Sequence, residues 1–317
     1  MFWEGGDRIQ QNLPYFIEIE TSTYCNRRCT WCPNALYDRG HKKERILDNV
    51  WNGLLDELGS LGYSGWIGFH NYNEPLLDPD IFFRIDDVHH FVPDSKTALF
   101  TNGDYLYTST IQCLVESKIT EVRVTLYPRL STAHESPTRE SIYRYLDERD
   151  INQSICKELV TRRGLEIHFD IQKTHFFVIS PKVYEFTNRG GLLNNNVNLI
   201  KRIDPCFLSS YSAAIDYQGN MKFCCQIYDV NMNKNYCIGN ILDLGFRKLW
   251  FSESMNESRY RLAVADFSGL PACQVCNHKL PIEQLRPAQE NFKQILAGTY
   301  NYDKLPHNPS DRPPLLR

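Results

Sequence analysis

Three common signals are missing from this sequence. No run of apolar residues reaches the length of a membrane span, so no transmembrane helix is expected. Neither sign of charge dominates: 35 Lys and Arg against 38 Asp and Glu, interspersed, leave a formal charge of −3. That balance offers neither a basic stripe for nucleic acid nor a polybasic membrane anchor, and it leaves a small molecule or a peptide as the expected substrate. The opening segment, Met1-Phe-Trp-Glu-Gly-Gly-Asp7, lacks the charged and apolar regions of a secretory signal, so a cytoplasmic location is expected. No internal repeat is visible.

Cysteine, by contrast, is plentiful. Eleven cysteines in a chain read as cytoplasmic argue against a disulfide framework, because the cytosol keeps thiols reduced, and for metal or reactive thiols. Three fall between Cys25 and Cys32 and six between Cys206 and Cys276. Cys113 and Cys156 stand apart in segments that read as helical.

From Tyr15 onward, short apolar or alternating stretches take turns with segments of helical spacing, the pattern of β-α units around a parallel sheet. Strands are expected at 15–20, 66–70, 97–101, 121–126, 165–172 and 176–179. Helices are expected at 47–61, where Leu47, Val50, Trp51, Leu54, Leu55 and Leu58 share a face, and at 81–91 and 109–117. The expected fold class is α/β: a partial (β/α)6 TIM-like barrel over 1–196, followed by a small α+β unit over 197–285 and a tail over 286–317.

The run Asn188-Arg-Gly-Gly-Leu-Leu-Asn-Asn-Asn196 breaks the periodicity and marks the boundary between the units. Beyond it, 212–217 and 221–225 flank Gln218-Gly-Asn220 as a β-hairpin. Helices at 243–250 and 255–264 and a knuckle at 273–276 follow. The proline-rich end from Thr299 reads as an extended strap.

The segment Cys25-Asn-Arg-Arg-Cys29-Thr-Trp-Cys32 directly follows the first strand. Three thiolates in one tight loop can grip three corners of a 4Fe-4S cubane and leave the fourth iron open. Structural zinc usually takes four protein ligands at paired spacings, and here the fourth is missing locally.

On these residues the chain resembles the radical S-adenosylmethionine (SAM) superfamily, whose Cys-x-x-x-Cys-x-x-Cys loop follows the first strand of a partial barrel. The resemblance covers most of residues 15–195. It implies that SAM chelates the open iron and that its cleavage yields a 5′-deoxyadenosyl radical. It also implies that Trp31 contacts the adenosyl part, a position where a tryptophan capping the barrel mouth is the alternative.

Asn71-Tyr72-Asn73-Glu74-Pro75 is similar to the family's Gly-Gly-Glu-Pro segment, which places Asn73 and Glu74 beside the SAM amino group. The two family glycines are replaced here by Tyr72 and Asn73. Thr101-Asn102-Gly103 resembles the ribose-side loop, with a plain Asn-Gly turn as the alternative, and Arg123 is a candidate partner for the SAM carboxylate.

Cys206, Cys224 in Gly219-Asn-Met-Lys-Phe-Cys224, and Cys273-Gln-Val-Cys276 resemble the SPASM or twitch extension of some radical SAM enzymes. These four would hold one auxiliary 4Fe-4S cluster, a structural zinc knuckle being the alternative. The further cysteine cluster of a full SPASM domain is lacking, which points to the shorter twitch form.

Two fates of the substrate radical fit these cofactors. Loss of a proton and an electron to the auxiliary cluster gives a ketone, as the resemblance to aminocyclitol dehydrogenases implies. Return of hydrogen from a thiol gives an epimer, with Cys225 and Cys237 as the spare thiols. Either cysteine is equally read as a small buried hydrophobe. His70 and Arg189 are further candidate substrate contacts, with structural or surface roles as alternatives.

The expected partners are a small carbohydrate-like or aminocyclitol substrate, with a peptide possible, and a low-potential electron donor such as flavodoxin or ferredoxin. The short stretch before Tyr15 leaves no room for a peptide-docking module. A noncatalytic iron-sulfur carrier is the reading from another class, and in it Glu74 and Trp31 would be needless.

Overall fold

The computed structural model describes residues 12–37, 43–128, 136–151, 155–161, 163–182, 186–193, 200–228 and 236–299. The first part alternates β1 (Phe16–Ile19), α1 (Asp48–Ser60), β2 (Trp66–Gly68), α2 (Ile81–Phe91), β3 (Lys96–Thr101), α3 (Thr108–Glu116), β4 (Glu121–Thr125) and α4 (Arg139–Asp147). A meander follows: β5 (Ile155–Val160), β6 (Gly164–Ile171) and β7 (Thr174–Pro181). After it come α5 (Leu208–Tyr211), β8 (Ser212–Ile215), β9 (Asn220–Lys222) and β10 (Cys237–Asn240). The last elements are α6 (Ile241–Leu244), α7 (Phe246–Trp250), α8 (Glu253–Ala263), α9 (Pro271–Gln274) and α10 (Ile282–Thr299).

Helical spacing explains α1: Val50, Trp51, Leu54, Leu55 and Leu58 form its buried stripe. Burying five such side chains contributes on the order of 10 kcal/mol before chain entropy is counted. The Trp51 indole also donates to Asp87 Oδ2 of α2 (2.9 Å), which fixes the angle between the two helices. Leu47, expected on the same face, instead precedes the helix as its N-cap and is exposed.

Among the described residues the strands form one ten-stranded sheet in the order β10-β9-β8-β1-β2-β3-β4-β7-β6-β5. Its centre, β8-β1-β2-β3-β4-β7, is parallel throughout. The expected α/β class therefore holds, with two differences in how the strands are supplied. The expected strands 165–172 and 176–179 are the antiparallel pair β6 and β7, and β5 extends the meander. The sixth parallel strand is β8, from the C-terminal unit, paired in register with β1 (Phe16↔Ser212 to Ile19↔Ile215).

Three expectations for local structure are corrected. Cys156 lies in strand β5, not in a helix. The helix expected over 243–250 is two short ones, because Gly245 turns the chain at φ 79° between α6 and α7. The segment 286–299, expected as tail, belongs to α10, whose Ala288, Phe292, Ile295 and Leu296 are buried. The proline-rich end from residue 300 lies outside the described residues.

Strand alternation sends β1 side chains to two faces. Ile17 and Ile19 pack in the large core that includes the apolar stripes of α1, α2 and α3. Phe16 faces the other way and joins Ala98, Phe207, Tyr211, Ala288, Phe292 and Leu296 in a second core. Helix α10 thus closes the inner face of the sheet, and the Asn291 amide ties it to the carbonyls of Leu13 and Ser210. The expected hairpin turn forms between β8 and β9, with Asp216 Oδ1 accepting from the Gln218 and Asn220 amides and Gly219 at φ 84°.

Candidate active site

The cysteine loop leaves β1 through four buried polar residues, Glu20 to Thr23, so its start is fixed by the core. Asn26 and Arg27 anchor it further along. The Arg27 guanidinium forks onto both oxygens of Asp104, just after β3, and Asn26 Nδ2 donates to the same carboxylate (2.6 Å). Asn102 Nδ2 closes the arrangement on Asn26 Oδ1 (2.8 Å). Cys25, Cys29 and Cys32 all face one cavity of about 370 Å³, within the range of small-molecule sites. Burial pushes the Cys25 thiol up to about 11 and Cys29 up to about 12, so the apo loop carries thiols whose protons a metal must displace.

Glu74 stands at the same cavity, 2% exposed. Its Oε1 accepts from Thr101 Oγ1 (2.6 Å) and the Leu76 amide (3.2 Å), and its Oε2 accepts from the Asn102 amide (2.7 Å). Burial still outweighs these bonds and raises the carboxyl to about 7. Thr101 and Asn102 thus fix Glu74 as well as lining the cavity. The Asn73 side chain is turned inward on its own loop, where it accepts from the Asn71 amide (3.0 Å).

Trp31 is buried and stacked on Phe186 (5.3 Å between ring centres). Arg123 also lines the cavity, but its Nη2 donates to Glu121 (3.0 Å) and its guanidinium is sandwiched between Phe100 and Phe177, so it already has a counter-charge.

The four cysteines of the second set lie near one another. Cys206, Cys224, Cys273 and Cys276 ring one small void of about 30 Å³ with Leu262 and Phe267. One zinc ion would draw four thiolate sulfurs to about 4 Å from each other. Among the described residues no group of three or more His, Cys, Asp or Glu converges on a single-ion position. Leu208, Gln226 and His278 border both this void and the large cavity.

The two spare thiols part company. Cys225 is buried, lines the large cavity and accepts from Gln226 Nε2 (3.8 Å). Cys237 lies on β10, half-buried, with its sulfur toward the Gly239 carbonyl (3.9 Å), and it lines neither cavity. The structure therefore removes Cys237 from the candidate site. Cys113 is exposed on α3.

Several cavity residues were not legible from motifs: Glu18, Tyr72, Tyr127, Phe186, Gln226 and His278. Arg189 and His70, singled out in the sequence, are there too. Trp31 Nε1, His70 Nδ1, Arg123 Nε, Arg189 Nε and His278 Nε2 are buried without a hydrogen-bond partner among the described residues. Five such atoms around one cavity are the signature of a site built for a polar ligand, and this donor set fits SAM and a hydroxylated substrate.

The family model for the SPASM iron-sulfur cluster-binding domain matches residues 206–277, from the first auxiliary cysteine to just past the last. A curated relative, the S-adenosyl-L-methionine-dependent 2-deoxy-scyllo-inosamine dehydrogenase of Niallia circulans, is 26% identical over 262 residues, 83% of this chain and 92% of its own. The crystal structure of BtrN in complex with AdoMet and 2-DOIA superposes with a TM-score of 0.64 at 23% identity, covering 84% of this chain and 94% of BtrN. BtrN in an open conformation gives 0.56 at 20% identity, over 84% and 93%.

Fold, cysteine loop and matched domain together make the chain similar to radical SAM oxidoreductases that carry a SPASM/twitch-type domain, and SAM and iron-sulfur clusters are the cofactors that this likeness supports. Within that class it is similar to the aminocyclitol dehydrogenase of Niallia circulans. No helix among the described residues is long and apolar enough to cross a membrane.

Proposed function

We propose that the enzyme oxidises one alcohol carbon of an aminocyclitol to a ketone. The observation that carries this reading is the placement of the two cysteine sets on either side of one wall. Cys25, Cys29 and Cys32 open onto the large cavity, and Leu208, Gln226 and His278 line both that cavity and the void ringed by Cys206, Cys224, Cys273 and Cys276. When bound, the cofactors supply a hydrogen-abstracting 5′-deoxyadenosyl radical on one side and a one-electron acceptor on the other. The chain's residues do the rest: Glu74 receives the SAM amino group, Trp31 packs the adenosyl part, and the Cys225–Gln226 segment brings the substrate against the electron-accepting wall.

The relative's substrate class supports an amino- and hydroxyl-bearing ring. Arg189, above the Tyr72 ring and bonded to Gln226 Oε1 (3.3 Å), supplies hydroxyl contacts. One observation favours a second reading: Cys225 on the cavity wall could return hydrogen and make the enzyme an epimerase.

The test is anaerobic incubation of reduced holoenzyme with SAM and 2-deoxy-scyllo-inosamine in deuterated water. Ketone and 5′-deoxyadenosine in equal amounts are expected. Recovery of an epimer carrying one deuterium on carbon would overturn the dehydrogenase reading in favour of Cys225.

A further inference from the structure

We propose that Glu18 is the proton acceptor for the substrate hydroxyl; the proposal rests on the dehydrogenase reading above. Taking an alcohol H–C–O–H to C=O removes one hydrogen atom from carbon, one proton from oxygen and one electron. Bound SAM would supply the 5′-deoxyadenosyl radical that takes the hydrogen atom, and the oxidised auxiliary cluster would supply the acceptor for the electron. The O–H proton still needs a base, a demand that epimerisation does not make.

The cavity wall offers few. Arg27, Arg123 and Arg189 have donors but no acceptor. Burial keeps Tyr72 and Tyr127 protonated far above neutrality. His70 lies flat on Phe100 (3.7 Å between ring centres), and burial pushes it down to about 3, too weak a base. Glu74 is almost wholly buried and already accepts three hydrogen bonds. His278 stands at the wall shared with the auxiliary void, and burial pushes it down to about 4, so Glu18 remains, a carboxylate whose side chain is 16% exposed.

Register explains its opening. On β1, Glu18 is flanked by Gly68 of β2 and Ala214 of β8, the two smallest side chains available. A Cβ at Gly68 would lie 2.6 Å from Phe16 and 2.7 Å from His70, so only glycine fits under these two rings next to Glu18. Behind the carboxylate, Asn71 Nδ2 donates to Oε2 (3.1 Å), and buried Lys222 Nζ donates to Asn71 Oδ1 (2.7 Å). Lys222 thus reaches the carboxylate through the Asn71 amide, which orients Glu18. Burial raises the Glu18 carboxyl; the bonds from Cys225 and Asn71 and the charges of Lys222 and Arg189 oppose this in part, with His70 Nε2 at 3.9 Å. Cys225, next to Cys224 in sequence, lines the same cavity as Glu18, so proton and electron leave the substrate toward the same wall.

The experiment compares holoenzyme with Glu18→Gln and Glu18→Asp, using aminocyclitol deuterated at the reacting carbon. Glu18→Gln should still transfer deuterium into 5′-deoxyadenosine while ketone formation falls about 100-fold, with a substrate radical accumulating by electron paramagnetic resonance. Glu18→Asp should recover part of the ketone rate, and the wild type's rise in rate with pH should vanish in Glu18→Gln. Ketone from Glu18→Gln at the wild-type rate would overturn the proposal alone. Loss of deuterium transfer would overturn it too, by making Glu18 a positioning residue. An epimer from the wild type would overturn the dehydrogenase reading, and the proposal with it.

Discussion

The contact between Arg27 and Asp104 joins the cysteine loop to the end of β3, and a double-mutant cycle isolates its strength. The guanidinium makes two charge-assisted bonds to the two carboxylate oxygens, and their side chains are 20% and 33% exposed. Exposed pairs contribute about 0.2–1 kcal/mol, and breaking a buried pair costs about 3–5. A half-buried fork falls between, so Arg27→Ala and Asp104→Ala should show a coupling of about 1–2 kcal/mol in urea unfolding of the cluster-free protein.

Half-burial works against the Asp104 charge, but the Arg27 and Asn26 hydrogen bonds outweigh it and hold the group below 3.8. Its contribution is therefore complete above 3.8 and is lost as pH falls through the lower folded-state value. Asp104→Asn should also retain less iron at the Cys25, Cys29 and Cys32 site while leaving the auxiliary iron unchanged. A coupling within 0.3 kcal/mol of zero, about the error of such cycles, together with unchanged iron, would refute the anchoring argument.

Other outcomes follow from single contacts. Glu74 acts with the opposite sign from Asp104: its carboxyl rises from 4.5 to about 7, so the SAM-free protein should lose up to about 3 kcal/mol relative to Glu74→Ala as pH rises through that interval. A pH-independent difference between the two would show that burial does not perturb it. Phe292→Ala should cost about 3–5 kcal/mol by opening a cavity under α10, and an unchanged melting curve would make α10 a dispensable appendage. Cys237→Ala should leave product formation intact. Cys225→Ala, by altering the packing and solvent access beside Cys224, should shift the auxiliary cluster's reduction potential, which redox titration reads.

Much of the fold was legible because its signals are local. Val50, Trp51, Leu54, Leu55 and Leu58 announce α1 by spacing alone, and β1 to β4 lie within two residues of their expected bounds. The three residues between the expected strands 165–172 and 176–179 are too few for a parallel crossover and do mark an antiparallel pair, whereas β5 carries exposed Lys157 that hides it as an edge. The pairing of β8 with β1 joins residues nearly 200 positions apart and has no sequence signature. Helix α10 did have one, since Leu285, Ala288, Phe292, Ile295 and Leu296 follow helical spacing; Pro287 and the polar residues between them obscured it.

The site divides the same way. The cysteines were readable because three ligands share one loop and the spacing of the other four matches a known domain. Glu18 was not, because its importance depends on two neighbouring strands presenting glycine and alanine beside it. Its one visible sign was a carboxylate between Ile17 and Ile19 in an otherwise apolar strand. Cys225 and Cys237 looked alike in the sequence, and only the turn of the chain after β9 separates one at the cavity from one on the far strand.

The central claim is that one iron-sulfur cluster binds SAM and a second accepts the electron. Anaerobic iron and sulfide quantification with Mössbauer spectra, on wild type and on the Cys25, Cys29 and Cys32 triple alanine variant, tests it most directly. The account predicts about eight irons falling to about four. About four irons falling to none would contradict it, leaving zinc or nothing at Cys206, Cys224, Cys273 and Cys276 and no acceptor for the electron.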